Sequence, residues 1–146
     1  MINDKIRSSG ELEVTLRKAD GSIKEEHTFS NIVVSTGKEF IAARMIDDTV
    51  PMMAEMGIGD SDATLEVGNT ALMNQLARKP LQNSTVASNV VTYVGEFLDG
   101  VGTGGIVEAG IFTGGTPDTM LCRTTFPVIN KEVDDILTIN WNVTIN

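Results

Sequence analysis

The 146-residue chain carries 20 acidic against 11 basic side chains, a formal net charge of −9, so its surface repels phosphate backbones and anionic lipid, which argues against nucleic-acid and membrane partners. With 41% hydrophobic and 21% charged residues it is apolar enough to fold as one domain spanning residues 1–146, burying roughly 70% of the surface the unfolded chain exposes. Aromatic residues make up only 5%, so the core is expected to be mainly aliphatic and methionine.

The first ten residues, MINDKIRSSG, lack the apolar stretch of a signal peptide and read as an N-terminal arm, and nowhere do eighteen apolar residues run together. A soluble product made in the cytoplasm is expected. Between residues 11 and 34, Leu12, Val14 and Leu16 alternate with Glu13, Thr15 and Arg17, and Ile23, Glu25, His27 and Phe29 follow at the same period. Asp20-Gly21 between the two runs supplies the positive φ of a tight hairpin turn. The charged faces of this hairpin place it at a sheet edge or on an exposed arm, its apolar side toward the body. Leu12, Val14, Leu16 and Phe29 are therefore candidate assembly residues, able to pair with a neighbour's sheet.

At residues 36–47 the period changes: Ile41, Ala42, Met45 and Ile46 fall at helical spacing, Ser35 or Thr36 stands ready as a cap, and the first proline downstream is Pro51. This predicts the chain's one helix, its apolar stripe across a sheet. Residues 51–58 read as a buried strand, 60–69 as a polar loop, and 70–77 as a short helical turn with Leu72 and Leu76 inward. From Lys79 the period returns to two, and Val91, Tyr93 and Phe97 share one face of a long strand reaching Leu98. Glycine clusters at 100–105 and 114–115 bracket the apolar strand 106–112, and a further strand covers 120–126. The last strand places Leu137, Ile139, Trp141, Val143 and Ile145 on one face and Thr138, Asn140, Asn142 and Thr144 on the other. Such short strands with Gly and Asp turns predict a mainly β, antiparallel sandwich or barrel-like domain. Its core is expected at Val91, Tyr93, Phe97, Leu137, Ile139, Trp141 and Val143.

Chemistry is sparse. Cys122, the single cysteine, excludes an internal disulfide and reads as a small core residue in the run Met120-Leu121-Cys122. The single histidine, His27, lies on the hairpin beside Glu25 and Glu26 with no nucleophile-elbow pattern to serve, so it reads as an exposed strand residue. The glycines at 100–105 lead into β-branched Ile106-Val107 with no Lys following, which is not a phosphate loop. Asp60, Asp62 and Glu66 are weak calcium candidates; the EF-hand spacing fails, with Leu65 at its sixth position and Ala71 at its twelfth. Glu108 stands in an otherwise apolar strand and must reach solvent or be paired, with Arg78, Arg123 or Lys131 as the candidate partner of a structural ion pair. No catalytic residue, cofactor or metal is expected, and the chain reads as no enzyme.

Taken in order, Met56-Gly57-Ile58-Gly59, Asn69-Thr70-Ala71-Leu72, Arg78-Lys79, Val91-Thr92-Tyr93, residues 106–112 (IVEAGIF), residues 120–126 (MLCRTTF), Lys131 and Leu137-Thr138-Ile139-Asn140-Trp141 resemble small structural proteins of tailed bacteriophage virions. In that group a GxG, a T-x-L, an EAGLF-like strand, an L-x-R-T-x-F strand followed by Lys, and a final L-T-I-x-W strand recur in this order. The likeness covers about residues 30 to 146; Ile111 replaces the usual Leu and Cys122 a small Ala. The resemblance implies a β-rich homo-oligomer, a trimer or other ring, made in the host cytoplasm and located in the virion beside major capsid or tail proteins. A capsid decoration (cement) protein is the leading expectation. A tail, baseplate or fibre-attachment protein is the alternative, and a glycan- or calcium-binding receptor-recognition module a lesser one. A glycan module needs exposed aromatics, yet Trp141 and Tyr93 fall on inward faces.

Overall fold

The computed structural model describes residues 7–146. In chain order the elements are β1 (Ser8–Arg17), β2 (Ile23–Val33), α1 (Ser35–Arg44), β3 (Glu55–Gly59), β4 (Gln75–Pro80), β5 (Asn83–Ala87), β6 (Val90–Phe97), β7 (Gly104–Phe112), β8 (Met120–Lys131) and β9 (Ile136–Ile145). The mainly β expectation holds in its barrel-like form. Nine antiparallel strands make one curled sheet, a half-barrel, in the order β4-β3-β7-β8-β2-β1-β9-β6-β5. Where the sheet curls round, the link between β4 and β5 ties its two ends together: the Leu81 N–H donates to the Ala54 carbonyl and that of Gln82 to Val94, both at 2.8 Å.

The period-two pattern dictates the enclosed face. In the β1–β9 register Leu12 stands opposite Trp141, Val14 opposite Ile139 and Leu16 opposite Leu137, and Phe97 continues the row on β6. Met56 and Ile58, Ile106 and Ile111, and Leu121 and Phe126 close the core from β3, β7 and β8. Five of the seven expected core residues, Phe97, Leu137, Ile139, Trp141 and Val143, are buried; Val91 and Tyr93 face inward but are half-covered at the open end.

The hairpin forms around Asp20-Gly21, yet it is no edge. β1 lies between β2 and β9, so Leu12, Val14 and Leu16 are closed to a neighbouring subunit and belong to the core instead. Phe29, the fourth assembly candidate, stacks on Phe126 with centroids 4.9 Å apart. Of the expected N-terminal arm, residues 1–6 lie outside the described residues, Arg7 exchanges backbone hydrogen bonds with Asn146, and the next three are the start of β1.

Three local expectations are corrected. No helical turn forms at 70–77, because Gln75–Pro80 pair with β3 as β4; Leu72 is buried but Leu76 is exposed. The long strand read from Lys79 to Leu98 is instead the end of β4 followed by two strands, β5 and β6, folded about Ser88, whose φ of 55° makes the turn without glycine. The helix forms where predicted, but neither serine nor threonine caps it: Val34 occupies that position, and the Thr36 hydroxyl donates to the Met120 carbonyl at 2.9 Å. It docks through Gly37, where any Cβ would overlap the Leu121 carbonyl. The Arg44 guanidinium then donates to the Asp48 and Val50 carbonyls at 3.1 and 2.9 Å, turning the chain away before the apolar stripe is complete. Met45 and Ile46 are left 74% and 94% exposed.

Candidate functional site: a buried ion pair that latches a loop

Glu108 on β7 and Arg123 on β8 are diagonal neighbours across the strand pair, since Gly110 stands opposite Arg123 and Thr125 opposite Glu108. Both side chains are fully buried, so of the three proposed partners for Glu108 the structure selects Arg123. Its Nε and Nη2 donate to Glu108 Oε1 at 3.2 and 3.1 Å. A carboxylate and a guanidinium removed from water need every remaining site filled. Here the segment between β3 and β4 fills them. The Met73 N–H donates to Oε1 at 2.9 Å, those of Asn74 and Ser61 to Oε2 at 2.8 and 3.3 Å, and Arg123 Nη1 reaches the Ala63 carbonyl and Asn69 Oδ1 at 3.1 and 3.2 Å. One ion pair thus gathers both ends and the middle of residues 60–74 onto the outer face of the sheet.

Backbone approach this close requires Gly59, where a Cβ would overlap both the Asn74 carbonyl and the Glu108 side chain. Beside the pair, Leu72 seals a second small apolar cluster with Val34, Phe112 and Met120.

The other candidates are placed apart. Arg78 lies 3.6 Å over the Phe112 ring and pairs with Asp118 and with Glu55, the latter at 3.6 Å, so it fastens the loop after β7. Lys131 donates to the Leu98 carbonyl at 2.9 Å, tying β8 to the end of β6; burial pulls its pKa down, opposed by nearby Asp135 and Asp99. Asp135 takes Lys24 instead, at 2.8 Å. Asp60 accepts from the Asn74 amide, while Asp62 and Glu66 are exposed, and no group of three His, Cys, Asp or Glu among the described residues is arranged to hold a metal. His27 is exposed, 3.4 Å from Glu25 and stacked on Phe29. Cys122 is wholly buried, and desolvation pushes its thiol well above the ordinary range.

Sequence reasoning found both members of the latch but not its backbone donors, because nothing in side-chain identity marks Ser61, Met73 or Asn74 as partners of a carboxylate. It also missed an apolar groove at the open end, between α1 and the β5–β6 hairpin. The groove has two lobes of about 460 and 490 Å³ that share Ile41 and Ile145. Comparison with protein-family models, curated proteins and solved structures finds no match.

Proposed function

We propose that the chain is a non-enzymatic structural component of a tailed-bacteriophage virion, a decoration (cement) protein that binds major capsid subunits on the head. One observation carries the reading. The residues that make up the phage-like motifs converge on holding shape: Gly59, Leu72, Glu108 and Arg123 build one latch, Lys131 fastens the end of β6, and Trp141 fills the core with its indole N–H donating to Asn31 at 2.8 Å. Motifs that serve a reaction would instead leave polar groups aimed at an accessible reacting centre. A rigid frame carrying loops at both ends suits a part repeated many times on a symmetric shell, where weak contacts add through multivalency. The acidic surface keeps the protein soluble before assembly.

The test is co-sedimentation of purified chain with heads or with tails lacking it. Saturable binding to heads supports the cement role. Binding to tails alone moves the protein to the tail, and binding to neither overturns the reading.

A further inference from the structure

We infer that the groove between α1 and the β5–β6 hairpin is a self-association face, and that its occupant is the helix-end corner of a second copy, residues 45–48. The inference deepens the assembly role, on which it rests for the expectation that the chain self-associates.

The floor of the groove is apolar, formed by Phe40, Ile41, Met53, Tyr93 and Leu121. It is lined by β5, β6 and β9 together with α1, the segment before β3 and Leu121 of β8. Three large apolar side chains at its rim, Met45, Met52 and Val86, are 74%, 69% and 72% exposed, and Ile46, next to Met45, is 94% exposed. Large apolar side chains exposed together around one apolar groove mark a contact surface.

Charge selects the occupant. Among the described residues the lining includes three cations, Arg7, Lys38 and Arg44, and no carboxylate, on a chain whose net charge is −9; Arg44 already donates to the Asp48 and Val50 carbonyls and acts on its own Asp47, so Arg7 and Lys38 are the cations a partner would meet. The matching segment is apolar with carboxylates beside it. The chain presents such a segment at the groove's edge, Met45-Ile46-Asp47-Asp48, in which Met45 lines one lobe and both aspartates are exposed. A knob beside its own complementary groove is satisfied by a twofold axis, which seats each copy's Ile46 in the other's groove and brings Asp48 to the other's Lys38 and Arg7. The outer edge of β5, uncharged and at the end of the sheet order, lies along the same groove and carries no residue that would repel a second copy.

The experiment is sedimentation equilibrium of the purified chain, with Ile46→Asp on the knob side and Val86→Lys on the groove side. Both positions are exposed, so a circular-dichroism melt should match the parent. The parent is expected at twice the 15.7 kDa chain mass, and each variant should raise the dimer dissociation constant at least about tenfold. Lys38→Glu should weaken the dimer and Asp48→Lys added to it should restore it. A monomeric parent, or a dimer indifferent to both apolar variants, overturns the inference. Co-sedimentation separates this failure from that of the proposed function: a monomer that still binds heads sinks only the self-association face, and a dimer that binds no particle sinks only the virion role.

Discussion

Replacing Glu108 with glutamine removes the charge from the latch and nearly none of its volume. Glu108 accepts five hydrogen bonds, two from Arg123 and one each from the backbone of Ser61, Met73 and Asn74. In the variant the buried guanidinium loses its counter-charge and a new amide N–H faces other donors. Breaking one side of a buried pair costs about 3–5 kcal/mol, a large share of the roughly 5–15 kcal/mol that holds a domain of this kind folded. For a chain this long the melting temperature should fall by roughly 10–15 °C. Urea unfolding followed by fluorescence of the single, fully buried Trp141 gives the free energy directly. Hydrogen exchange adds the local signature: the Met73 and Asn74 amides should lose protection more than those of β1 and β9. Glu108→Leu with Arg123→Met removes both charges, and the double variant should be less destabilised than the sum of its two single changes. A loss under about 1 kcal/mol for Glu108→Gln, or a double variant as damaged as the sum of its singles, would refute the latch.

The Cys122 thiol, wholly buried with its pKa raised by desolvation, should resist a thiol reagent in the folded protein and react fully in denaturant; fast native labelling would contradict its placement. Packing against the core pushes the phenol of Tyr93, the only tyrosine, up to about 12, with Cys122 a lesser cause. The unfolded chain then ionises first, so stability should fall as pH rises from the ordinary phenol value near 10 toward 12, and tyrosinate absorbance should appear only at the top of that range. At the acid end, hydrogen bonds from Ser22, Thr49 and Lys24 hold the carboxylates of Asp20, Asp47 and Asp135 below their usual range. That stability is present above about pH 4 and is lost as pH falls through the folded-state values, and Asp135→Asn should flatten part of the acid limb in a pH series of melts. Gly37→Ala should lower the melting temperature by lifting α1 from the Leu121 carbonyl, although alanine favours helices elsewhere; a stabilised variant would refute the docking geometry.

Much of this fold was legible because period two is a strong signal where one face is buried. Residues 137–145 alternate without a break and form β9 as expected, and Asp20-Gly21 marks the hairpin turn outright. The β5–β6 turn was hidden because Ser88 adopts its positive φ without glycine. The hairpin's place in the sheet was hidden for another reason. Charges on β1 and β2 reveal an exposed face, but which strands flank them is set by pairings more than a hundred residues away, such as Leu12 with Trp141. Glu108 was found because a carboxylate in an apolar strand demands a partner. Choosing Arg123 over Arg78 and Lys131 needed the β7–β8 register, and the backbone donors needed the loop's path.

Quantitative mass spectrometry of purified phage particles from cells producing this chain tests the central claim most directly. The account predicts the chain in the particle at hundreds of copies, in fixed ratio to the major capsid protein. A few to a few dozen copies would place it in the tail, and particles of full composition from which the chain is absent would contradict the account.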